Sequence, residues 1–223
     1  MNFYWVILAS TTSAIVLHVP SSVRLQYTNA EEAYVTTELN TNSRLVCASY
    51  CQKLIGCIGI LSTSSSCKLL SSKGTQGLPT QNFHQIIEEY YTDFKYNVWI
   101  NLRMPISAKG YILIKGTIVR LPQNILLSQG GTYPDPRNET ALWLDTDGSC
   151  TLANNNMGVV DVFPFFTCDT FVSEKAVLKV EFPDAQTTKI TMNGGVSHAN
   201  RVADFEYLSI IDAFDIEIIE IKY

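Results

Sequence analysis

The chain has 223 residues, 46% of them hydrophobic and 17% charged, with a formal net charge of −5. A chain of this length can bury one large core or two modest ones. The shortage of cations excludes a nucleic-acid partner, which is bound by displacing counterions from phosphates, and equally an anionic membrane surface.

Taken in order, Phe3 to Leu17 is apolar and uncharged and is followed by Pro20-Ser-Ser. The run is shorter than the roughly 20 apolar residues a spanning helix needs. It reads as a signal peptide over residues 1–22, processed between Ala14 and Val23, although no lysine or arginine precedes it. The alternative is a buried first strand of a cytosolic protein. No later apolar segment is long enough to insert in a membrane. The six cysteines form two groups, Cys47, Cys51, Cys57 and Cys67, then Cys150 and Cys168. An even count at short spacings suits disulfides in an oxidising compartment, so the expected location is secreted and extracellular.

Residues 23–95 read as a small α+β domain. Leu25 to Leu39 mixes β-branched, aromatic and polar residues and holds a short strand. Asn42-Ser43 offers a cap, and Arg44 to Leu54 continues a helix without proline or glycine. Cys47 and Cys51 lie four apart, on one face of that helix. Gly56 ends it. Cys57 to Leu61 and Cys67 to Leu70 then read as two strands around the polar turn Ser62 to Ser66. His84 to Tyr91 reads as the closing strand, with a short helix as the alternative, and the domain boundary falls at Thr92 to Tyr96. A helix with two cysteines over a hairpin with two more resembles the apple, or PAN, module of secreted proteins. That resemblance implies nested bridges, Cys47–Cys67 and Cys51–Cys57, and a protein partner for the module; sequence alone allows three connectivities. The spacings are not the paired knuckles of a zinc site, so no metal is expected.

Residues 96–223 are strand-rich throughout. Asn97 to Leu102, Gly110 to Val119, Asn124 to Ser128, Ala141 to Asp145 and Val162 to Phe165 read as strands. Ala176 to Phe182 and Lys189 to Asn193 alternate with period two and run into Asn193-Gly194-Gly195, a tight-turn signal. Asp204 to Ile211 and Asp215 to Tyr223 supply two more runs. Gly110 to Thr117, Ala141 to Leu144, Phe163 to Phe165, Ala176 to Gly194 and Asp215 to Tyr223 follow one another in the order and wording of a galectin, and the chain resembles that family of galactoside-binding lectins over about 125 residues. The resemblance implies a mainly β fold, an antiparallel two-sheet jelly-roll sandwich.

It also implies where a sugar would sit. Trp143, Asp145 and Asp147 occupy the alternate positions at which galectins present histidine, asparagine and arginine, and Asn154 matches the asparagine of the next strand. The galectin tryptophan, glutamate and second arginine have no counterpart in Asn156 to Val162, so strict β-galactoside specificity is not expected. Trp143 offers an aromatic plane for a sugar's C–H face, and Asp145, Asp147 and Asn154 offer acceptors for its hydroxyls. The plain alternative is that Trp143 packs on a neighbouring strand and the aspartates form a solvated rim. Asp145-Thr-Asp147-Gly148 opens like a calcium loop but lacks the later ligands. His18 and His198 stand near no nucleophile motif, and no phosphate-cradling loop occurs, so neither an enzyme nor a cofactor is expected.

Two further expectations concern covalent chemistry. Asn138-Glu-Thr140 is a glycosylation sequon beside the Pro134-Asp-Pro136 loop, which is expected to be exposed. If Cys150 to Asn156 and Asp161 to Cys168 are antiparallel neighbours with a turn near Gly158-Val159, Cys150 and Cys168 face each other and bridge; two separate buried thiols are the alternative. The sequence thus describes a secreted carbohydrate-binding recognition or adhesion protein, its partner a glycan or glycoprotein. The competing class is a protein-interaction module whose sandwich no longer binds sugar.

Overall fold

The computed structural model describes residues 20–30, 33–72, 74, 77, 81–92, 98–129, 138–163, 166–211 and 214–223. The expected signal peptide up to residue 19, with His18, most of the expected boundary, the Pro134–Pro136 loop and the end of the Phe163–Phe165 turn lie outside these residues.

The chain begins with β1 (Ser22–Ala30) and β2 (Tyr34–Leu39), two strands where one was expected. Helix α1 (Arg44–Lys53) starts at Ser43, whose hydroxyl accepts from the Val46 amide and satisfies one orphan donor of the first turn. Gly56, at φ +77°, turns the chain into β3 (Cys57–Ser62), which pairs with β4 (Cys67–Ser71) and through it with β2. β5 (Gln81–Tyr91) closes this part of the chain as a strand. Bridges join Cys47 to Cys67 and Cys51 to Cys57. The only buried side chains of α1 are those of Cys47 and Cys51. The helix therefore has no apolar stripe to hold it down, and the disulfides do that work.

The rest is β: β6 (Val98–Asn101), β7 (Tyr111–Ile118), β8 (Gln123–Ser128), β9 (Asn138–Leu144), β10 (Ser149–Asn156), β11 (Val159–Val162), β12 (Phe166–Thr167), β13 (Lys175–Glu181), β14 (Thr187–Met192), β15 (Gly195–Asn200), β16 (Tyr207–Ile211) and β17 (Phe214–Lys222). Asn193 and Gly194 both take positive φ, 45° and 99°, as a two-residue hairpin turn between β14 and β15 requires.

The strands form two antiparallel sheets. One has ten strands in the order β15-β14-β13-β7-β17-β5-β3-β4-β2, with β1 on β5. The other has seven, β11-β10-β9-β8-β16-β6, with β12 on β10. Inward residues alternate with outward ones: Ile112, Ile114, Leu178, Val180, Ile219 and Ile221 from the first sheet meet Ile125, Leu127, Leu142, Leu144, Leu152 and Leu208 from the second in one core. Each such aliphatic side chain contributes about 1.5–3 kcal/mol on full burial.

The first sheet runs across the expected domain boundary. One edge of β5 is taken by β1 from Gln81 to Tyr90, with a bulge at Ile87. The other is shared, with Glu88–Tyr91 paired to β17 and His84–Gln85 paired to β3. The seam is closed by Arg103, which follows β6. Its Nε binds the Glu89 carboxylate, and its Nη atoms donate to the carbonyls of Cys51, Gln52 and Leu54 at the end of α1 and of Cys57 at the start of β3. A cation is the right occupant for a helix C-terminus, where carbonyls lack amide partners.

Cys150 and Cys168 are bridged, with Cα atoms 5.9 Å apart, but they are not direct partners in the ladder. The β10–β11 turn sits at Met157-Gly158, so Ala153 opposes Val162; after a break at Phe163, Cys150 opposes Phe166. A turn one residue earlier than expected, plus the break, moves Cys168 past the end of the pairing. The bridge thus closes the sheet edge from a flanking loop.

Candidate functional site

The outer face of the seven-stranded sheet is the surface on which the sequence-derived residues can be tested. Ladder registers arrange it in rows across the strands. Trp99, Ser209, Leu126, Ala141 and Ala153 form one row. Asn124, Trp143 and Thr151 form the row on one side, and Tyr207, Ser128, Glu139 and Asn155 the row on the other. Small side chains stand at Ser209, Ala141 and Ala153 of the middle row, and these three and Leu126 are all buried.

This face is polar in an unusual way. The hydroxyls of Ser128 and Ser209 and the indole N–H of Trp143 are out of solvent and have no hydrogen-bond partner. A buried polar group left unpaired costs about 1–3 kcal/mol, and folded proteins keep few of them. Asp145 extends this face beyond the end of β9, its amide donating to the Ser149 carbonyl at 2.9 Å. Burial, with a contribution from the Asp147 charge, pushes its carboxyl above the usual aspartate range. The Thr151 hydroxyl lies near enough to pull it part of the way back without making a full hydrogen bond.

The other two expected residues sit apart from this face. Asp147 is exposed in the β9–β10 turn, where its carboxylate accepts from the Ser149 hydroxyl and, at 2.9 Å, from the Ser149 amide; these bonds hold it below the ordinary aspartate value. Asn154 follows Cys150 and Leu152 on the core side of β10. Its Oδ1 accepts from the Thr140 hydroxyl at 2.8 Å and its Nδ2 donates to the Asn200 carbonyl at 2.7 Å, tying β10 to β15 of the other sheet. The structure therefore brings Trp143 and Asp145 together on the outer face, leaves Asp147 at the rim, and turns Asn154 inward. Ser128 and Ser209 were not read as site residues, because a serine alternating with leucine or isoleucine signals only an outward position.

Thr140 of the sequon is itself buried and bonded to Asn154, and Asn138 begins β9 opposite Asn156. Among the described residues, no group of histidine, cysteine, aspartate or glutamate is arranged to hold a metal ion, and His198 lies exposed on β15 opposite Lys189. The outer face of the ten-stranded sheet carries a ladder of paired charges: Lys179 and Lys189 both bind Glu181 and hold its carboxyl low. A concavity of about 270 Å³ opens where the two parts of the chain meet, between Ile55 and Ser72 on one side and Met104, Pro105 and Asp204 on the other.

No protein-family model and no curated protein matches the chain. Among solved structures it is similar to Caenorhabditis elegans galectin LEC-6, with a TM-score of 0.50 at 9% identity, over 60% of this chain and 96% of that one. Sheep galectin-11, in complex with glycerol, gives 0.47 at 9% identity over 57% of this chain and 99% of that one. Chicken galectin 2 gives 0.42 at 12% identity over 53% and 95%. At such identities the likeness is one of fold: the two sheets form a galectin-like sandwich.

Proposed function

We propose that this protein is a secreted lectin-type recognition or adhesion protein, and that its sandwich binds a glycan on the outer face of the seven-stranded sheet. The observation that carries this reading is the set of unpartnered polar groups on one sheet face, the Ser128 and Ser209 hydroxyls and the Trp143 indole N–H. A ring hydroxyl of a sugar satisfies such groups, and its C–H face stacks on indole. The galectin-like fold supports binding rather than catalysis. Trp143→Ala is expected to weaken glycan binding by about 2 kcal/mol, roughly 30-fold, the effect of losing a central aromatic anchor. Calorimetry on wild type and variant checks it; unchanged affinity moves the site elsewhere.

The reading as a protein-interaction module is favoured by a different feature. Helix α1 presents Leu45, Val46 and Tyr50 to solvent, an apolar strip on the apple-like part of the chain. A protein partner at this helix is compatible with a glycan on the sandwich.

Secretion makes its own prediction. The Ser21 amide donates to the Tyr90 carbonyl at 2.7 Å, and Gln52 Nε2 donates to the carbonyls of Pro20 and Ser21 at 2.7 and 3.0 Å. A mature chain that keeps these contacts starts at or before Pro20. N-terminal sequencing of secreted protein is expected to begin there, and a start at Val23 contradicts it.

A further inference from the structure

The seven-stranded sheet ends at β11, a strand of four residues that is exposed at every position. Val159, Val160 and Val162 are 65%, 48% and 60% exposed, and Met157 in the turn before them is 74% exposed. The ladder sets which backbone groups of this strand are used. The Phe163 amide donates to the Leu152 carbonyl at 2.9 Å, so Phe163, Asp161 and Val159 turn their N–H and C=O groups toward β10. Val160 and Val162, in between, turn theirs away from β10 to the free side of the strand. Proteins blunt such an edge with lysine, proline or a covering element. β11 carries neither residue, its exposure shows that nothing covers it, and its one charge is Asp161. Other edges are tied down: the Asn200 carbonyl of β15 accepts from Asn154, and Tyr34 of β2 bridges to Gly77.

We propose that β11 pairs with β11 of a second copy of this chain, antiparallel about a two-fold axis, joining two seven-stranded sheets edge to edge. The occupant follows from what the strand offers. Its free side is main chain flanked by valine, which an antiparallel valine strand matches on both counts, and a two-fold axis makes that match self-complementary. Exposure on both faces of β11 leaves room for the partner's sheet. Charge selects the register. Setting Val160 against the partner's Val162 would place Asp161 directly opposite the partner's Asp161, and like charges opposed across strands are destabilising. An axis at Val160 avoids this. Val160 and the partner's Val160 then exchange both hydrogen bonds, and Asp161 lies opposite the partner's Val159. The strand contributes four residues a side, against about 20–30 in a standard interface, so the dimer is weak and forms with concentration. The pairing does not depend on the glycan reading. Where the sandwich binds glycans, two joined sandwiches gain avidity from it.

The test is sedimentation equilibrium of the full secreted chain, without glycan, from about 10 μM to about 1 mM. Over that range the weight-average mass is expected to climb from the monomer toward about twice its value. Val160→Pro is expected to hold the mass at the monomer throughout, because it deletes an outward N–H and leaves the β10–β11 bonds intact. Val160→Lys is expected to do the same by setting an ammonium against its own copy at the axis, without asking the backbone to accept a proline. Thermal melting checks that both variants fold. A wild-type chain that stays monomeric at the highest concentration overturns the proposal, and β11 then serves an extended segment of another protein or none. Association retained by either folded variant also overturns it, since the contact then lies elsewhere on the molecule.

Discussion

Arg103→Ala is expected to destabilise the whole chain by about 3–5 kcal/mol, the range for breaking a buried ion pair by removing one partner. Arg103 is 8% exposed and Glu89 is 0%. The guanidinium holds the Glu89 carboxylate and the carbonyls of Cys51, Leu54 and Cys57 at 2.8–2.9 Å, with the Gln52 carbonyl on its other arm. Tyr91 and Tyr223 donate to the remaining Glu89 oxygen at 3.2 and 2.5 Å. Burial, with the Glu89 charge beside them, holds both phenols protonated well above the ordinary tyrosine range. Removing the side chain strands a buried carboxylate and leaves the end of α1 without its cation. Arg103→Lys should rescue little, because one ammonium cannot replace a planar fork with donors in several directions. Arg103→Met with Glu89→Leu should recover much of the loss, since neither charge is then stranded. Urea unfolding measures all three. A loss below about 1 kcal/mol for Arg103→Ala would show that water replaces the guanidinium at little cost.

Removing the Cys47–Cys67 bridge as a double alanine variant is expected to cost about 3 kcal/mol, from the freedom returned to the unfolded loop. The helix makes the effect more than entropic, because Cys47 and Cys51 are its only buried side chains and Leu45 is 84% exposed. The readout can be placed at a distance. Of the three tryptophans, Trp5 falls in the apolar N-terminal stretch, and Trp99 and Trp143 lie on β6 and β9. In a chain that starts at Pro20, tryptophan fluorescence reports the sandwich alone. Because β5 joins β3 to β17, the sandwich should unfold with the cysteine-stapled part, and the fluorescence midpoint should fall with the far-ultraviolet signal. A fluorescence transition that stays put while helical signal is lost would make the two parts independent. The same coupling bears on fragment work: the strand β17 in an isolated sandwich loses its β5 neighbour and offers a bare edge.

Much of the fold was legible because half-buried strands write their period into the chain. Lys175–Glu181 and Thr187–Met192 alternate in the sequence and alternate in burial. Asn193-Gly194 marked its turn because few residues accept positive φ. β15 escaped notice because Gly195–Asn200 buries only Ala199, so its alternation carries almost no hydrophobic contrast. Asn154 had its answer in plain view: two residues beyond Leu152 on a regular strand, it had to face the core.

The sequence by itself determined the mainly β class, the helix capped by Ser43 and the two cysteines on one face of that helix, all consequences of local periodicity and residue chemistry. Only the tertiary structure decided that β5 unites both parts in one sheet, that Arg103 seals the seam, that Cys168 reaches Cys150 from outside the ladder, and that Ser128, Ser209 and Trp143 share one face. Each of these depends on the register and partner of strands far apart in the chain. A period of two says which way a side chain points but never which strand lies beside it.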